Sequence, residues 1–334
     1  MYNLKNDYRE ITKFLLNGEN SIQVDYLQFS KEKKPNSVIN DNKYAIACLQ
    51  NFVSAKKKPT NVSQVKQLSP FRYPGGKSWL VPEICHFVIN LPQKPSLFIE
   101  PFAGGAIAGL TAANSSLSNH VILGEIDEDV AAVWEIIFNG SQNEIDSLCR
   151  AILNFEISLE NIQSILETLP ENSVNRAFRT IVKNRVQRGG IMAQGAGFIK
   201  RGEGDKGINS RWYPETLARR INLLHSYKEK ISFTKCDGFD LIQKYSAIQN
   251  AFFFIDPPYT AGKKNAGKRL YNYNQLDHER LFYIVSGLAG TAMMTYDDDP
   301  YILNLARIYG MHVQKVAMKN SHHAILYELM VIKA

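Results

Sequence analysis

Short apolar segments that alternate with helical patterns constrain the fold of this 334-residue chain more than any other feature. Helical patterns such as EDVAAVWEIIF and DHERLFYIVSGL lie between these segments. Strands that alternate with helices predict an α/β fold whose mostly parallel sheet is covered on both faces. The predicted buried strands are SLFIE (96–100), HVILGEI (120–126), ISFTKC (231–236), AFFFID (251–256), TAMMTY (291–296) and ELMVIKA (328–334).

Polar motifs follow four of the predicted strands. They are EPFAGG, EIDED, CDGFD and DPPY. Ligands of open parallel sheets bind beyond the carboxyl ends of the strands, so we expect these four motifs to meet at one edge. Two common phosphate motifs are excluded: FRYPGGKSW has Phe71 where a Walker loop needs glycine, and FAGGAIAG lacks the dinucleotide glycine spacing.

The tetrapeptide Asp256, Pro257, Pro258 and Tyr259 is the most informative of these motifs. Consecutive prolines remove two N–H donors and leave carbonyl oxygens as acceptors. The Asp256 carboxylate is a second acceptor, and the Tyr259 ring can stack on a flat ring. The pattern predicts a pair of acceptors for the exocyclic NH2 of an aromatic ring.

The two earlier motifs indicate a cofactor that contains a nucleoside. FIEPFAGG ends a strand in an acid and a glycine turn that lets a ligand approach the backbone. Glu125 ends the next strand, where an acid can accept hydrogen bonds from both ribose hydroxyls.

Positive charge is concentrated in one part of the chain. The formal net charge is +7, yet residues 172–235 alone contain 14 Lys and Arg against 4 Asp and Glu. Such a region suits the phosphates of nucleic acid, although a solvated charged face is the alternative interpretation. The glycine-rich stretch 186–213 has no steady period and is predicted to be an inserted element.

Several other classes of protein are not indicated. The chain has no run of roughly 18 to 20 apolar residues and no signal-peptide pattern at its start, so we expect a cytoplasmic protein. The pair His322 and His323 lacks nearby acidic or cysteine partners, so no metal site is expected. Four cysteines without a C-x-x-C pair predict buried free thiols: Cys48, Cys85, Cys149 and Cys236.

The motifs RYPGGK, FIEPFAGG, EIDED and FFFIDPPY, in this order, resemble the Dam-like DNA adenine-N6 methyltransferases (D12 class, group alpha). The resemblance runs from Phe71 to the C terminus. It implies a Rossmann-like S-adenosylmethionine-dependent methyltransferase sheet with an inserted, largely helical target-recognition domain and an N-terminal extension. The implied domains are an extension and linker (1–70), a catalytic domain (71–140 and 231–334) and a DNA-binding insert (141–230).

The resemblance also assigns roles to residues. The catalytic residues would be Asp256, Pro257, Pro258 and Tyr259. The S-adenosylmethionine site would include Tyr73, Gly75, Lys77, Glu100, Phe102, Gly104, Glu125, Asp237 and Asp256. Basic residues of the insert, of the segment before RYPGGK and of the loop after DPPY are the DNA-binding candidates: Arg72, Arg185, Arg188, Lys200, Arg201, Arg211, Lys263 and Lys264.

The expected reaction is direct methyl transfer to N6 of an adenine rotated out of double-stranded DNA. Methylation of another conjugated amine, such as cytosine N4 or an RNA or protein amide, is one alternative, and a catalytically silent DNA-binding homologue is another. The expected molecule is a monomer or weak dimer from a bacterium or phage, without a membrane partner. A cognate restriction endonuclease is a candidate partner.

Overall fold

A computed structural model describes residues 60–193, 195–258, 276–319 and 325–334. Within these ranges the strands are β1 (Leu97–Glu100), β2 (His120–Glu125), β3 (Ile231–Lys235), β4 (Ala251–Ile255), β5 (Thr291–Asp297), β6 (His312–Lys319) and β7 (Ile325–Lys333). The α-helices are α1 (Val81–Ile89), α2 (Ile107–Asn114), α3 (Glu128–Asn139), α4 (Gln142–Asn154), α5 (Leu159–Glu167), α6 (Ser173–Val186), α7 (Pro214–His225), α8 (Gly238–Tyr245), α9 (His278–Ser286) and α10 (Pro300–Ile308).

The seven strands form one sheet in the order β3-β2-β1-β4-β5-β7-β6. Strands β1 to β5 pair in parallel, whereas β7 is antiparallel to both β5 and β6. The central part of this order is that of a Rossmann-like sheet, and the chain changes direction across the sheet between β1 and β4. The predicted parallel α/β sheet is confirmed, and its carboxyl edge is where a ligand is expected.

Both faces of the sheet are buried. Along β4, Phe252 and Phe254 point into one hydrophobic cluster, while Phe253 and Ile255 point into the other. Helices α1 to α7 contribute to the first cluster, and α8 to α10 contribute to the second. Side chains that alternate between two buried faces explain why β4 reads as an uninterrupted apolar run.

Four helices, α4 to α7, occupy the segment that was predicted to be a helical insert. Helix α4 begins with a capping box, in which the side chains and backbone N–H groups of Ser141 and Glu144 bond reciprocally. Buried side chains of the insert belong to the same cluster as one face of the sheet, so the described insert has no separate core. The division of the chain into domains stays a prediction.

Val65 and Leu68, within the predicted linker, are buried in the core. Strand β6 was not predicted from the sequence. Residues 1–59, including Cys48, and the pair His322 and His323 lie outside the described residues.

No helix within the described ranges is long and apolar enough to span a membrane. No cluster of three or more metal-binding side chains occurs there either. Cys85 and Cys149 are buried free thiols, as predicted, whereas Cys236 is half-buried.

Candidate active site

A cleft of about 680 Å³ lies at the carboxyl edge of the sheet, between the strand ends, the segment 67–78 and the insert. Its volume is in the range of small-molecule sites. Gly75 does not line it, although the Gly75 carbonyl accepts a hydrogen bond from Lys77 Nζ at 2.8 Å. The other predicted cofactor residues do line it: Tyr73, Lys77, Glu100, Phe102, Gly104, Glu125, Asp237 and Asp256.

The Asp256 carboxylate follows the central strand β4 and is held by two donors. Lys77 Nζ lies 3.0 Å from Asp256 Oδ1, and the Thr295 hydroxyl donates to the same oxygen at 2.7 Å. Burial alone would lower the pKa of Lys77, but the nearby carboxylates outweigh it and the pKa is raised. Lys77 is therefore a buried cation that fixes the orientation of Asp256, a contact not predicted from the sequence.

Glu328 on β7 is a second acid beside the same cation. Its Oε2 lies 3.6 Å from Lys77 Nζ. The pKa of Glu328 is raised to about 7: burial raises it most, Lys77 lowers it, and Asp256 and Asp297 also raise it. The sequence analysis missed Glu328, because only the antiparallel pairing of β7 with β5 brings it to this edge.

The glycine turn after β1 is shaped around Tyr73. Gly104 has a φ of +46°, and a Cβ atom there would lie 2.6 Å from the Tyr73 ring. A Cβ atom at Gly105 would lie 2.9 Å from Tyr73 Cβ. Trp134 Nε1 donates to the Gly104 carbonyl at 2.9 Å and anchors the turn. The two glycines are needed because the ring occupies the space where side chains would stand.

Glu125 is buried at the end of β2, with its carboxylate surrounded by backbone donors. Its Oε2 accepts from Gly104 N at 2.8 Å, and its Oε1 accepts from Ile126 N and Asp127 N, both at 2.9 Å. Burial raises its pKa to about 7, although these amides lower it. Asp127, which the sequence analysis did not select, is buried, begins α3 as its N-cap and lines the same cleft.

Glu100 ends β1 inside the protein. Its Oε2 accepts a hydrogen bond from Gly109 N at 2.7 Å, which ties the strand to α2. Burial raises the pKa of Glu100 well above its ordinary value, and the Asp256 charge adds to the effect.

Phe102 and Asp237 also line the cleft. A Cβ atom at Gly238 would lie 2.5 Å from the Phe102 ring, so this glycine makes room for the ring. Asp237 is exposed and caps α8, since its carboxylate accepts from Phe239 N at 2.7 Å.

Of the predicted catalytic residues, Asp256, Pro257 and Pro258 line the cleft together. Tyr259 lies outside the described residues, as do the DNA-binding candidates Lys263 and Lys264. Their assignments stay predictions.

The remaining DNA-binding candidates fall into two groups. Arg188, Lys200 and Arg201 are exposed on the glycine-rich part of the insert. Arg72, Arg185 and Arg211 line the cleft instead.

Arg185, one of the predicted DNA-binding residues of the insert, is buried. Its guanidinium donates to the Pro70 carbonyl. Its pKa is lowered to about 9, chiefly by burial and then by the neighbouring charges of Arg220, Arg72 and Arg211. In the free protein Arg185 therefore joins the insert to the segment before the sheet. Its spacing from Phe178, Ile181 and Val182 places it on the buried side of α6 and was the sequence signal for this position.

Apart from Lys77, which pairs with Asp256, the charged side chains that line the cleft are divided between its walls. Acidic residues come from the sheet edge and arginines from the insert and the segment bound to it. Arg220, which the sequence analysis did not select, donates to the Ser69 carbonyl at 3.2 Å. The acidic side chains are Glu100, Glu125, Asp127, Asp237 and Asp256, and the arginines are Arg72, Arg185, Arg211 and Arg220.

A Rossmann-like sheet with a cleft at its carboxyl edge, an acid at the end of β2 and an Asp-Pro-Pro turn after β4 is typical of the class of Rossmann-like methyltransferases. Comparison with family models narrows the class. The chain belongs to the D12 class N6 adenine-specific DNA methyltransferases, whose family model matches residues 73–319. The family resemblance inferred from the motifs is confirmed.

One curated relative is the type II methyltransferase M.CviBI of Paramecium bursaria Chlorella virus NC1A. It is 26% identical over 218 residues, which cover 63% of this chain and 75% of that protein. Solved structures with weaker similarity include a putative RNA methyltransferase, PH1948, from Pyrococcus horikoshii, with 10% identity and a TM-score of 0.35 over 88% of this chain and 98% of that one. A precorrin-6y C5,15-methyltransferase from Geobacter metallireducens GS-15 has 8% identity and a TM-score of 0.30, over 72% of this chain and 79% of that one. Structural similarities this low say nothing about the substrate.

Proposed function

We propose that this protein transfers a methyl group from S-adenosylmethionine to the N6 amine of an adenine in duplex DNA. The division of charge in the cleft is the observation that carries the proposal. The cofactor has a net positive charge and suits the wall formed by acidic strand ends, whereas DNA is a polyanion and suits the arginine wall.

The residues of the cleft fit S-adenosylmethionine. Glu125 stands where an acid can accept hydrogen bonds from ribose hydroxyls, and Gly104 lets a ligand approach the backbone. Tyr73, Phe102 and Asp237 complete the walls that would hold the cofactor. When bound, the cofactor supplies a methyl group activated by its sulfonium centre.

The amine substrate would bind at the Asp-Pro-Pro turn. Adenine N6 is a weak nucleophile because its lone pair is delocalised into the ring. Hydrogen bonds from its two protons to Asp256 and to the Pro257 carbonyl would localise electron density on the nitrogen and orient it. Lys77 and Thr295 hold the Asp256 carboxylate in place before the substrate arrives.

Adenine N6 is paired inside a duplex, so the base has to leave the stack at a cost of a few kcal/mol. The arginine wall would bind phosphates around the extruded nucleotide, and Tyr259, from its place in the motif, would stack on the base at about 1 to 3 kcal/mol. The exposed basic residues Arg188, Lys200 and Arg201 would contact the flanking duplex.

Mass spectrometry of nucleosides tests this proposal. DNA is incubated with the protein and with cofactor labelled in its methyl group, and we expect the label in N6-methyladenine alone. Label in N4-methylcytosine, or transfer to RNA instead of DNA, would contradict the adenine assignment. DNA binding without methyl transfer or cofactor binding would indicate a catalytically silent homologue.

The DNA sequence that the protein methylates can be identified in cells. Sequencing of DNA from cells that express the protein, with N6-methyladenine identified at single-base resolution, should give one short recognition sequence. Cells that express Asp256→Ala are the matched control and should show none of these marks. Modified adenines spread without a common sequence would contradict site-specific methylation.

A further inference from the structure

Glu328 has no role in the proposed reaction, yet it pairs with Lys77, the cation that holds Asp256. It does not line the cleft, and it approaches Asp256 through Lys77, whose Nζ lies 3.0 Å from Asp256 Oδ1 and 3.6 Å from Glu328 Oε2. The ammonium group also donates to the Gly75 carbonyl at 2.8 Å. One buried cation thus stands between two carboxylates that come from strands far apart in sequence.

The strength of Asp256 as an acceptor depends on this cation. A carboxylate that accepts a hydrogen bond from a buried ammonium group has less electron density to offer to a substrate amine. A second carboxylate beside the same ammonium group attracts it in the opposite direction and weakens its hold on Asp256. The charge on Glu328 should therefore be felt at Asp256 without any contact between Glu328 and the substrate.

The surroundings of Glu328 make its charge variable. Lys77 and Asp256 face Glu328 from the cleft side. Asp297 is its paired residue on the neighbouring strand β5. On β6 its partner is the apolar Val316. Burial, followed by the effects of these groups, gives Glu328 a pKa of about 7. Because it is an acid, it is neutral below this pH and charged above it.

We propose that Glu328 is a positioning residue that sets how tightly Lys77 pairs with Asp256, and thereby how well Asp256 accepts a hydrogen bond from the substrate amine. The inference rests on the proposed role of Asp256 but not on the identity of the amine. When Glu328 is charged, Lys77 is shared and Asp256 is a strong acceptor. When Glu328 is neutral, Lys77 pairs with Asp256 alone and methyl transfer slows.

The test compares the wild-type protein with Glu328→Gln, which keeps the shape of the side chain and removes its charge. Single-turnover methyl transfer is measured from pH 5.5 to 8.5, so that product release does not hide the chemical step. We expect equal rates near pH 5.5, and a wild-type rate about tenfold higher than that of Glu328→Gln at pH 8.5. A general loss of structure would lower the rate of the variant equally at every pH.

Two further variants complete the experiment. Glu328→Asp keeps a carboxylate, so its rate should still rise through neutral pH; it also serves as the test if Glu328→Gln does not fold. Asp298→Asn removes a charge from the same end of the sheet, where Asp298 pairs with Lys315 at 2.6 Å and not with Lys77. The profile of Asp298→Asn should match that of the wild-type protein.

The proposal is overturned if the ratio of wild-type to Glu328→Gln rates does not change with pH, or if Glu328→Asp loses the rise. Either result leaves adenine methylation by the wild-type protein intact and so fails only this inference. Label found on another amine would instead refute the proposed function, while the role of Glu328 could still be measured with that amine as substrate.

Discussion

Replacement of Lys77 by methionine removes the cation that holds Asp256 and Glu328 together. At separations of 3.0 Å and 3.6 Å, each ion pair is worth about 5 kcal/mol at an effective dielectric constant of about 20, before the cost of burying the charges is subtracted. Breaking a buried ion pair by removing one partner typically costs about 3 to 5 kcal/mol. We expect Lys77→Met to lower the free energy of unfolding by that amount at pH 8.5.

The loss should depend on pH in a defined direction. The pKa of Glu328 is about 7 with Lys77 present, and loss of the cation raises it further. At pH 6.0 Glu328 is then neutral, and the repulsion between it and Asp256 disappears. The variant should therefore lose less stability at pH 6.0 than at pH 8.5.

Urea unfolding at the two pH values provides the measurement. Lys235→Met is the matched control, because Lys235 pairs with Glu128 at 2.6 Å on the surface, where such pairs contribute little. Two results would refute the description of Lys77 as a buried cation shared by two acids. One is a loss of unfolding free energy below about 1 kcal/mol for Lys77→Met, and the other is a loss of the same size at both pH values.

Three other variants probe separate parts of the cleft. Thr295→Val keeps the shape of the side chain but removes the 2.7 Å hydrogen bond that fixes the orientation of the Asp256 carboxylate. Loss of that orientation should lower single-turnover methyl transfer by about tenfold or more, while affinity for S-adenosylhomocysteine, measured by calorimetry, is unchanged. Glu125 has a pKa of about 7 in the folded protein, so the folded protein holds this proton more tightly than the unfolded chain does. The free energy of unfolding should therefore fall as the pH rises from about 4.5 to 7, and Glu125→Gln should reduce this fall in urea titrations. An unchanged dependence of stability on pH would contradict the burial of an acid at this position. Replacement of both Lys200 and Arg201 by alanine should make the plot of log DNA affinity against log salt concentration less steep. The change should be about 0.9 for each phosphate that the variant no longer neutralises. An unchanged slope would show that these exposed residues do not contact the DNA.

Most strands of the sheet could be predicted because the pattern of apolar residues in a strand depends on which of its faces are buried. The run AFFFID has apolar side chains on both sides of the strand, which is typical of a strand that is covered on both faces of a parallel sheet. Strand β6 escaped prediction because polar and apolar residues are mixed in HVQKVAMK. It lies at one edge of the sheet, whereas β3 at the other edge was predicted.

The composition of the cleft was also largely predictable, since strand ends of a parallel sheet meet at one edge. The ion pairs within it were not. Lys77 and Glu328 are 251 residues apart, and their contact depends on the antiparallel return of β7, which no local pattern indicates. Arg185 shows the other difficulty: a basic residue in a charged region reads as exposed, although its helical spacing assigns it to the buried side of α6.

The central claim, that the Asp256 carboxylate activates the amine, is tested most directly by single-turnover methyl transfer with Asp256→Asn. The asparagine keeps the size of the side chain and loses its charge, so we expect the rate to fall by about 100-fold to 1,000-fold, with the affinities for DNA and for S-adenosylhomocysteine nearly unchanged. A variant that transfers methyl groups within about tenfold of the wild-type rate would show that this carboxylate does not carry the reaction.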